Sequence, residues 1–461
     1  MSVVKDKAWD RWLLGALFVA ALLRVVPMAL WPQMDCVRDE CIYRAMAMKI
    51  LDGQGLTVSS KGWLTAPGFP YLLVLMKATT GAFFSVKWVN IVISLFSAGA
   101  IYEIARRVFD LRAARWAAWM FALHPTLAFF TQTMWIETVY IFFLLNAVLA
   151  ALWAREQPWP RASLVGLMLG CCILFRGVAT YLPPVFFVAL IWPTAGWTTT
   201  ANFAVAIRQR WKHGAAMLVA VVLFVAPYSL YASPKHGGFL VSDATVGHVM
   251  FLGNNEFPPL TFDYGIGMLT GPLYAKYLRS GRLPCPRNQP PVISSKCDVG
   301  KAVDWIVENP DRFANRVPLR LAQLLNPNSF LTRHIRWGYW PGLPWVLKEL
   351  TAVTIVFTTM FLVLVGTLGA WSRARGAYGI IAVGTVLYTC ATIAIMYGMT
   401  RFRLPLEPLW IVFAAGVMAD PKGAVNALSE STPRSVGALL TIPALVALML
   451  WFLPTGFPRF W

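Results

Sequence analysis

Trp12-Leu-Leu-Gly-Ala-Leu-Phe-Val-Ala-Ala-Leu-Leu-Arg-Val-Val-Pro-Met-Ala-Leu-Trp31 is an apolar run broken by a single charge, Arg24. An α-helix rises about 1.5 Å per residue, so about 20 such residues cross the roughly 30 Å hydrocarbon core of a bilayer. The run is too long for a signal-peptide core and no small-residue cleavage pattern follows it, so it reads as a retained first span. Similar runs recur to the end of the chain. With 461 residues, 58% hydrophobic and 13% charged, the protein holds more apolar surface than a soluble fold of this length covers. The alternating pattern of an outer-membrane barrel is missing, so the spans are helices. The expected fold class is an all-α polytopic membrane protein.

A net charge of +19 would suit nucleic acid if it lay on one soluble face, but the basic residues fall in short clusters between apolar runs. Lys5/Lys7/Arg11, Arg106/Arg107/Arg112/Arg115, Arg155/Arg161, Arg208/Arg210/Lys212 and Arg373/Arg375 fit cytoplasmic loops under the positive-inside rule. Anchored on them, spans are expected near 12–31, 88–105, 114–131, 135–154, 162–180, 182–193, 214–231, 345–371, 378–397, 405–418 and 436–452, which makes about eleven. Residues 69–86 are also apolar, yet a crossing there would place Arg106 to Arg115 outside. They are therefore expected to be re-entrant or interfacial, an ordinary span that locally breaks the charge rule being the other reading.

Two long segments then face outward, 32–68 and 233–344. The chain divides into an N-terminal transmembrane module (1–232) holding the first outer loop (32–68), an outer loop domain (233–344) and a C-terminal transmembrane module (345–461). Within the outer domain Val299 to Leu325 has a helical amphipathic pattern, broken by Pro310 and Pro318. Neither a long repeat nor HExxH nor a P-loop is present. Of seven cysteines, Cys171, Cys172 and Cys390 lie in expected spans. Cys36/Cys41 and Cys285/Cys297 lie outside, where an oxidising compartment would let each pair close a loop; metal ligation is the rival reading, without CxxC spacing to support it.

The chemistry is expected in the first outer loop. Met34-Asp-Cys-Val-Arg-Asp-Glu-Cys-Ile-Tyr43 sets three carboxylates just beyond the first span. Ionisable groups at this depth are costly and are kept chiefly where they pair, bind an ion or move a proton. Residues 42–51 carry Tyr43, Met46, Ala47 and Ile50 at helical spacing, as in a surface helix, so a purely capping role for Asp39 and Glu40 competes with a functional one.

Asp39-Glu40-x-x-Tyr43 followed by Ala45, Ala47, Leu51, Gly53, Pro67 and Pro70 resembles the first periplasmic loop of GT-C membrane glycosyltransferases. The nearest likeness is to glycosyltransferase family 39, the protein O-mannosyltransferase and aminoarabinose transferase group. The likeness continues through Ala105-Arg-Arg-Val-Phe109, Thr133 to Glu137, Phe175-Arg176, Gly247-His-Val to Asn255, Trp305-Ile-x-x-Asn-Pro310 and Arg401-Phe-Arg403 with Pro405 and Pro408. It implies a GT-C-like bundle with periplasmic juxtamembrane helices in a bacterial inner membrane, transferring a sugar with inversion from a polyprenyl-phosphate donor to an acceptor on the periplasmic side. Asp39 matches the family's general base, with Glu40 supporting it or binding an ion, and Glu137 matches its second acidic position.

A leaving lipid phosphate needs cations. Arg401 and Arg403, at an outer mouth where positive charge runs against the inside bias, are the expected phosphate contacts, with Arg176 a third. Tyr43, His248, Asn254 and Asn255 are candidate substrate contacts. Arg24 is read as snorkelling to headgroups, and His124 with Pro125 as helix-terminal packing. No cofactor is certain; a divalent metal remains compatible with the acidic pair. Expected partners are the lipid-linked donor, membrane lipids, and a lipid A, surface-glycan or envelope-protein acceptor, with no nucleic acid. The long C-terminal luminal region of eukaryotic protein mannosyltransferases and the WWDYG signature of oligosaccharyltransferases are missing; Trp337-Gly-Tyr-Trp340 is not that motif. A flippase or transporter of lipid-linked glycan, or an O-antigen polymerase or ligase, would share the many spans. Transporters commonly show repeated halves, whereas the long outer segments here are not repeated.

Overall fold

A computed structural model describes residues 10–450 apart from 34, 38, 58–63, 193–199, 257–284, 287, 329 and 337, and every regular element among the described residues is helical. The first run forms α1 (Arg11–Leu30), started by the Asp10 carboxylate, which accepts from the Trp12 N–H at 3.0 Å. After it come α2 (Asp39–Leu51), α3 (Gly68–Thr80), α4 (Val86–Val108), α5 (Leu111–Leu123), α6 (Pro125–Phe130), α7 (Glu137–Ala154), α8 (Ser163–Phe175), α9 (Pro183–Ile191) and α10 (Thr200–Lys235). The stretch 233–344 supplies α11 (Val246–Gly253), α12 (Pro291–Glu308), α13 (Pro310–Leu325) and α14 (Phe330–Arg336). The chain finishes with α15 (Trp345–Arg373), α16 (Gly376–Ile395), α17 (Glu407–Ala419), α18 (Pro421–Ser429) and α19 (Thr432–Leu450).

Among the described residues seven helices are long and apolar enough to cross a membrane: Arg11–Leu30, Phe83–Val108, Glu137–Ala154, Ile207–Lys235, Trp345–Arg373, Gly376–Ile395 and Thr432–Leu450. The apolar helices Trp159–Phe175, Gly177–Ile191 and Glu407–Ala419 are shorter. The span expected at 114–131 is broken. Pro125 has no N–H to give and disfavours helical backbone at the residue before it, so α5 stops at Leu123 and α6 starts anew, with His124 Nδ1 accepting from the Leu127 N–H at 3.3 Å. Arg24 does not snorkel. It is fully buried and donates to Ala122 O at 3.2 Å and Ser94 Oγ at 3.0 Å, supplying a donor to carbonyls that the end of α5 leaves open. The expected ends at Pro193 and Phe452 lie outside the described residues.

The helices define two ends. Lys87, at the start of α4, donates to Gln33 O at 2.8 Å just past α1. Further along the same helix, about 30 Å on at helical rise, Arg107 meets Glu156 beyond α7 at 3.8 Å. Arg115 pairs with Asp10 at 2.9 Å, Arg155 donates to Trp192 O at 2.8 Å and Arg373 pairs with Asp420 at 2.7 Å, all at this basic end. The opposite, acidic end receives the start of α2. Phe69 at the start of α3 packs against Tyr43 with ring centroids 5.3 Å apart, and Gly68 abuts Phe175 at the end of α8. α3 stops at Gly81, whose φ of 77° suits glycine, and a short turn over Phe83–Ser85 leads into α4 at the same end. Residues 69–86 therefore begin and end on one side of the bundle, as an interfacial element does.

Two cysteine pairs are bonded, Cys36–Cys41 with Cα atoms 5.0 Å apart and Cys285–Cys297 with Cα atoms 6.0 Å apart. In the amphipathic stretch, Pro310 occupies the first turn of α13 rather than interrupting a helix, which its missing N–H permits. Pro318 sits inside α13 without ending it. Arg316 donates to Gly253 O at 3.0 Å and Asn255 O at 2.9 Å, and Arg320 to Gly253 O at 2.7 Å, so α13 is fastened on both sides of Pro318 to the end of α11.

Candidate active site

Four helix ends converge at the acidic end. Asp39 opens α2, Glu137 opens α7, Arg176 follows the last residue of α8, and Arg401 lies in a short 3₁₀ turn, Thr400–Arg403, between α16 and α17. Residues separated by up to 362 positions meet here: Arg401 Nη1 stands 2.7 Å from Asp39 Oδ2, and its Nε donates to Glu137 Oε1. Arg176 Nη1 is 3.9 Å from the same Glu137 oxygen. Aromatic faces complete the walls, with the Arg401 guanidinium 4.6 Å from the Trp135 ring centroid and Arg176 between Tyr140 at 5.5 Å and Phe402 at 5.4 Å.

Exposure grades across the cluster. Glu137 is fully buried and the Arg401 side chain nearly so, whereas that of Asp39 is 37% exposed. Burial opposes the charge on Arg401, but the Glu137 and Asp39 carboxylates outweigh it and hold the guanidinium's proton above its usual range. Glu137 Oε2 makes no hydrogen bond among the described residues. Burial raises the Tyr43 and Tyr397 hydroxyls, which also feel the charges of Asp39 and Arg401. The cluster thus offers one reachable carboxylate, a buried second carboxylate, one cation that bridges the two and a second cation beside the buried one.

Other expected site residues are used elsewhere. Glu40 is buried and turned from Arg401; it accepts from the Val37 N–H at 2.8 Å, the Met134 N–H at 2.8 Å and the Tyr339 hydroxyl at 2.9 Å. Arg403 faces the other way, donating to Glu407 Oε1 at 2.9 Å and to Leu324 O and Asn326 O at 3.0 and 2.8 Å, so the structure does not bring it to Arg401. Asn254 donates to Ile395 O at 2.7 Å and accepts from Arg320 at 2.9 Å, and Asn255 donates to Phe251 O at 2.9 Å. They directly follow α11, which holds the buried His248 and whose contacts with α12, α13 and the end of α16 brace the chain leading to Arg401.

Three residues the sequence did not single out join the neighbourhood: Trp135, Tyr397 and Asp243. The Asp243 carboxylate is seated against Gly177, where a Cβ would stand 2.2 Å from Oδ2. Burial pushes its carboxyl up while Arg176 pulls it down. A lone aspartate in the outer segment carried no spacing signal. Among the described residues no group of three or more His, Cys, Asp or Glu side chains is placed to hold a metal ion.

Residues 65–230 match the model of the dolichyl-phosphate-mannose-protein mannosyltransferase family, a stretch that includes Glu137 and Arg176 and leaves out Asp39 and Arg401. No curated protein matches the chain significantly. The apo oligosaccharyltransferase of Archaeoglobus fulgidus is similar in structure, with 14% identity and a TM-score of 0.51 over 98% of this chain and 59% of that one. The chain therefore spans less than two thirds of that protein. ArnT from Cupriavidus metallidurans, solved with undecaprenyl phosphate, is 14% identical, with a TM-score of 0.42 over 92% of this chain and 80% of that one. The likeness is one of fold: a GT-C bundle of membrane helices.

Proposed function

We propose that the protein transfers a sugar from a polyprenyl-phosphate carrier to an acceptor hydroxyl on the outward side of a bacterial inner membrane, with inversion, using Asp39 as general base. The observation that carries this reading is the pairing of Asp39, the most exposed carboxylate of the cluster, with Arg401 at 2.7 Å. The match over 65–230 to a family described by its dolichyl-phosphate-mannose donor supports a lipid-linked donor.

Negative charge builds on the phosphate oxygens as the glycosidic bond breaks, and Arg401 and Arg176 stand where it would be met. Arg401 cannot serve Asp39 and a phosphate equally. When phosphate engages Nη1, Asp39 Oδ2 is released to accept the proton of the attacking hydroxyl, so donor binding prepares the base. Glu137, buried and bonded through Nε, keeps the guanidinium in place throughout. Arg403 and Glu40 do not contact the reacting groups in this scheme. The acceptor is a lipid A, a surface glycan or an envelope protein.

The test is transfer by purified protein from a panel of polyprenyl-phosphate sugars. Asp39→Asn is expected to lower kcat about 10²- to 10⁴-fold. Undiminished transfer by that variant removes Asp39 as base. Lipid scrambling in liposomes by well-folded protein that turns over no carrier replaces the enzyme with a transporter.

A further inference from the structure

Asp39 sits inside a loop that is closed on itself. Cys36 and Cys41 are bonded across it, and within it Glu40 N–H donates to Val37 O at 3.2 Å while the Val37 N–H donates to Glu40 Oε2 at 2.8 Å. The other Glu40 oxygen reaches out of the loop, to the Met134 N–H at 2.8 Å and to the Tyr339 hydroxyl at 2.9 Å. Tyr339 and Trp340 are in turn held by Gln132, through its carbonyl at 2.9 Å and its side-chain oxygen at 3.1 Å. Met134 and Gln132 belong to the turn that leads into Glu137, so the loop of Asp39 and the helix of Glu137 are tied to one frame. Successive helical residues point about 100° apart; with Glu40 locked to this frame, Asp39 is left facing Arg401.

We propose that the Cys36–Cys41 disulfide and the Tyr339 hydroxyl are positioning groups for Asp39, and that sugar transfer needs the loop in its oxidised form. The inference rests on Asp39 being the base. None of these groups touches the reacting atoms. Opening the disulfide consumes two electrons and two protons and yields two thiols; dithiothreitol supplies both and becomes a cyclic disulfide. The bond opposes separation of the first helical turn of α2 from the residues before it, and positioning errors near 1 Å cost about 10²-fold in rate.

Two readouts on the full-length protein decide the matter, in wild type and in the Cys36→Ser/Cys41→Ser variant. The first is independent of turnover: carbodiimide coupling of an amine to Asp39, followed by peptide mass spectrometry. Reduction of wild type, or the double substitution, is expected to raise coupling at Asp39 several-fold, since the carboxylate leaves Arg401. The second is kinetic: kcat is expected to fall about tenfold or more with donor KM changed less than about twofold, and reoxidation restores it in wild type only. Tyr339→Phe is expected to lower kcat about threefold in the same KM-neutral way. A Cys285→Ser/Cys297→Ser variant keeps the full response to reductant. Unchanged coupling and unchanged kcat on reduction overturn the proposal. If the oxidised protein turns over no carrier, the enzymatic reading fails, while the coupling readout still decides whether the loop positions Asp39.

Discussion

At the scale of single residues, the arginine between Asp39 and Glu137 carries the most weight. Removing one member of a buried charge pair costs about 3–5 kcal/mol because it strands the other. Arg401→Met should therefore lower the thermal midpoint by leaving Glu137 buried with only Arg176, 3.9 Å away, to answer it, while Arg401→Met/Glu137→Leu should recover most of the loss without recovering transfer. Equal midpoints for the single and double variants would show that the pair is not coupled. Glu40 makes a pH-dependent statement of its own. Burial raises its carboxyl above the ordinary value of 4.5, against the pull of Lys87 and the three donors it meets. A raised folded value means that the folded state holds the proton more tightly, so this group's stabilisation is complete below about pH 4.5 and declines as pH rises through the raised value, by at most about 1.4 kcal/mol per pH unit. Glu40→Gln should flatten that part of the midpoint-against-pH curve; a curve with unchanged slope rules Glu40 out as its source. The structure brings together Asp39 and Glu137, which the sequence singled out by family likeness, and Arg401 and Arg176, which it singled out as charge running against the positive-inside pattern. The sequence also paired Glu40 with Asp39 and Arg403 with Arg401. Adjacent residues on a helix point about 100° apart and residues two apart on a 3₁₀ turn about 240° apart, so only one of each pair faces the cluster.

At the scale of elements, hydropathy located the helices and missed how they end. The run at 114–131 looked continuous because Pro125 is itself compatible with apolar sequence; the missing N–H, not polarity, breaks it. Arg24 looked like a surface cation for the same reason: nothing in its own run announces that the carbonyls ending α5 stand beside it. Residues 69–86 were placed correctly because charge bookkeeping on the flanking loops left no room for a crossing. Packing between the helices depends on small residues, since lipid tails compete with apolar side chains for every surface. A Cβ at Gly166 of α8 would stand 2.1 Å from Met217 O of α10, and neither backbone can yield without the two helices parting. A Cβ at Gly99 of α4 meets nothing within 4 Å. Gly166→Ala is accordingly expected to cost about 1–3 kcal/mol, and Gly99→Ala to add about 0.5–1 kcal/mol through the alanine preference of a helix interior. Thermal midpoints in one detergent compare the two; similar shifts would mean that α8 and α10 are not in close contact.

At the scale of the molecule, the two ends differ in sign and in chemistry. Arg106, Arg107, Arg115, Arg155 and Arg373 gather at one end, each tied to a carboxylate or to helix-terminal carbonyls, and the cluster of Asp39, Glu137, Arg176 and Arg401 gathers at the other. Cations resist translocation, so the orientation proposed for this protein keeps their end in the cytoplasm and turns the acidic end outward, toward a compartment where Cys36–Cys41 and Cys285–Cys297 would stay bonded. That orientation also suits the proposed transfer. A polyprenyl carrier keeps its tail in the bilayer and its phosphate at the surface, so a site at the helix mouths receives the leaving group without drawing charge into hydrocarbon. Two single-cysteine reporters separate the ends in a background where Cys171, Cys172 and Cys390 are replaced by alanine: Glu156→Cys beside Arg107, whose native side chain is 71% exposed, and Asp311→Cys at the exposed start of α13. A membrane-impermeant maleimide added to spheroplasts is expected to label Asp311→Cys at once and Glu156→Cys only after permeabilisation. The reverse pattern would place the Asp39 cluster in the cytoplasm. The disulfides would then sit in a reducing compartment, the acceptor would have to be cytoplasmic, and the outward-facing transfer proposed for this protein would be wrong even if Asp39 remained its base.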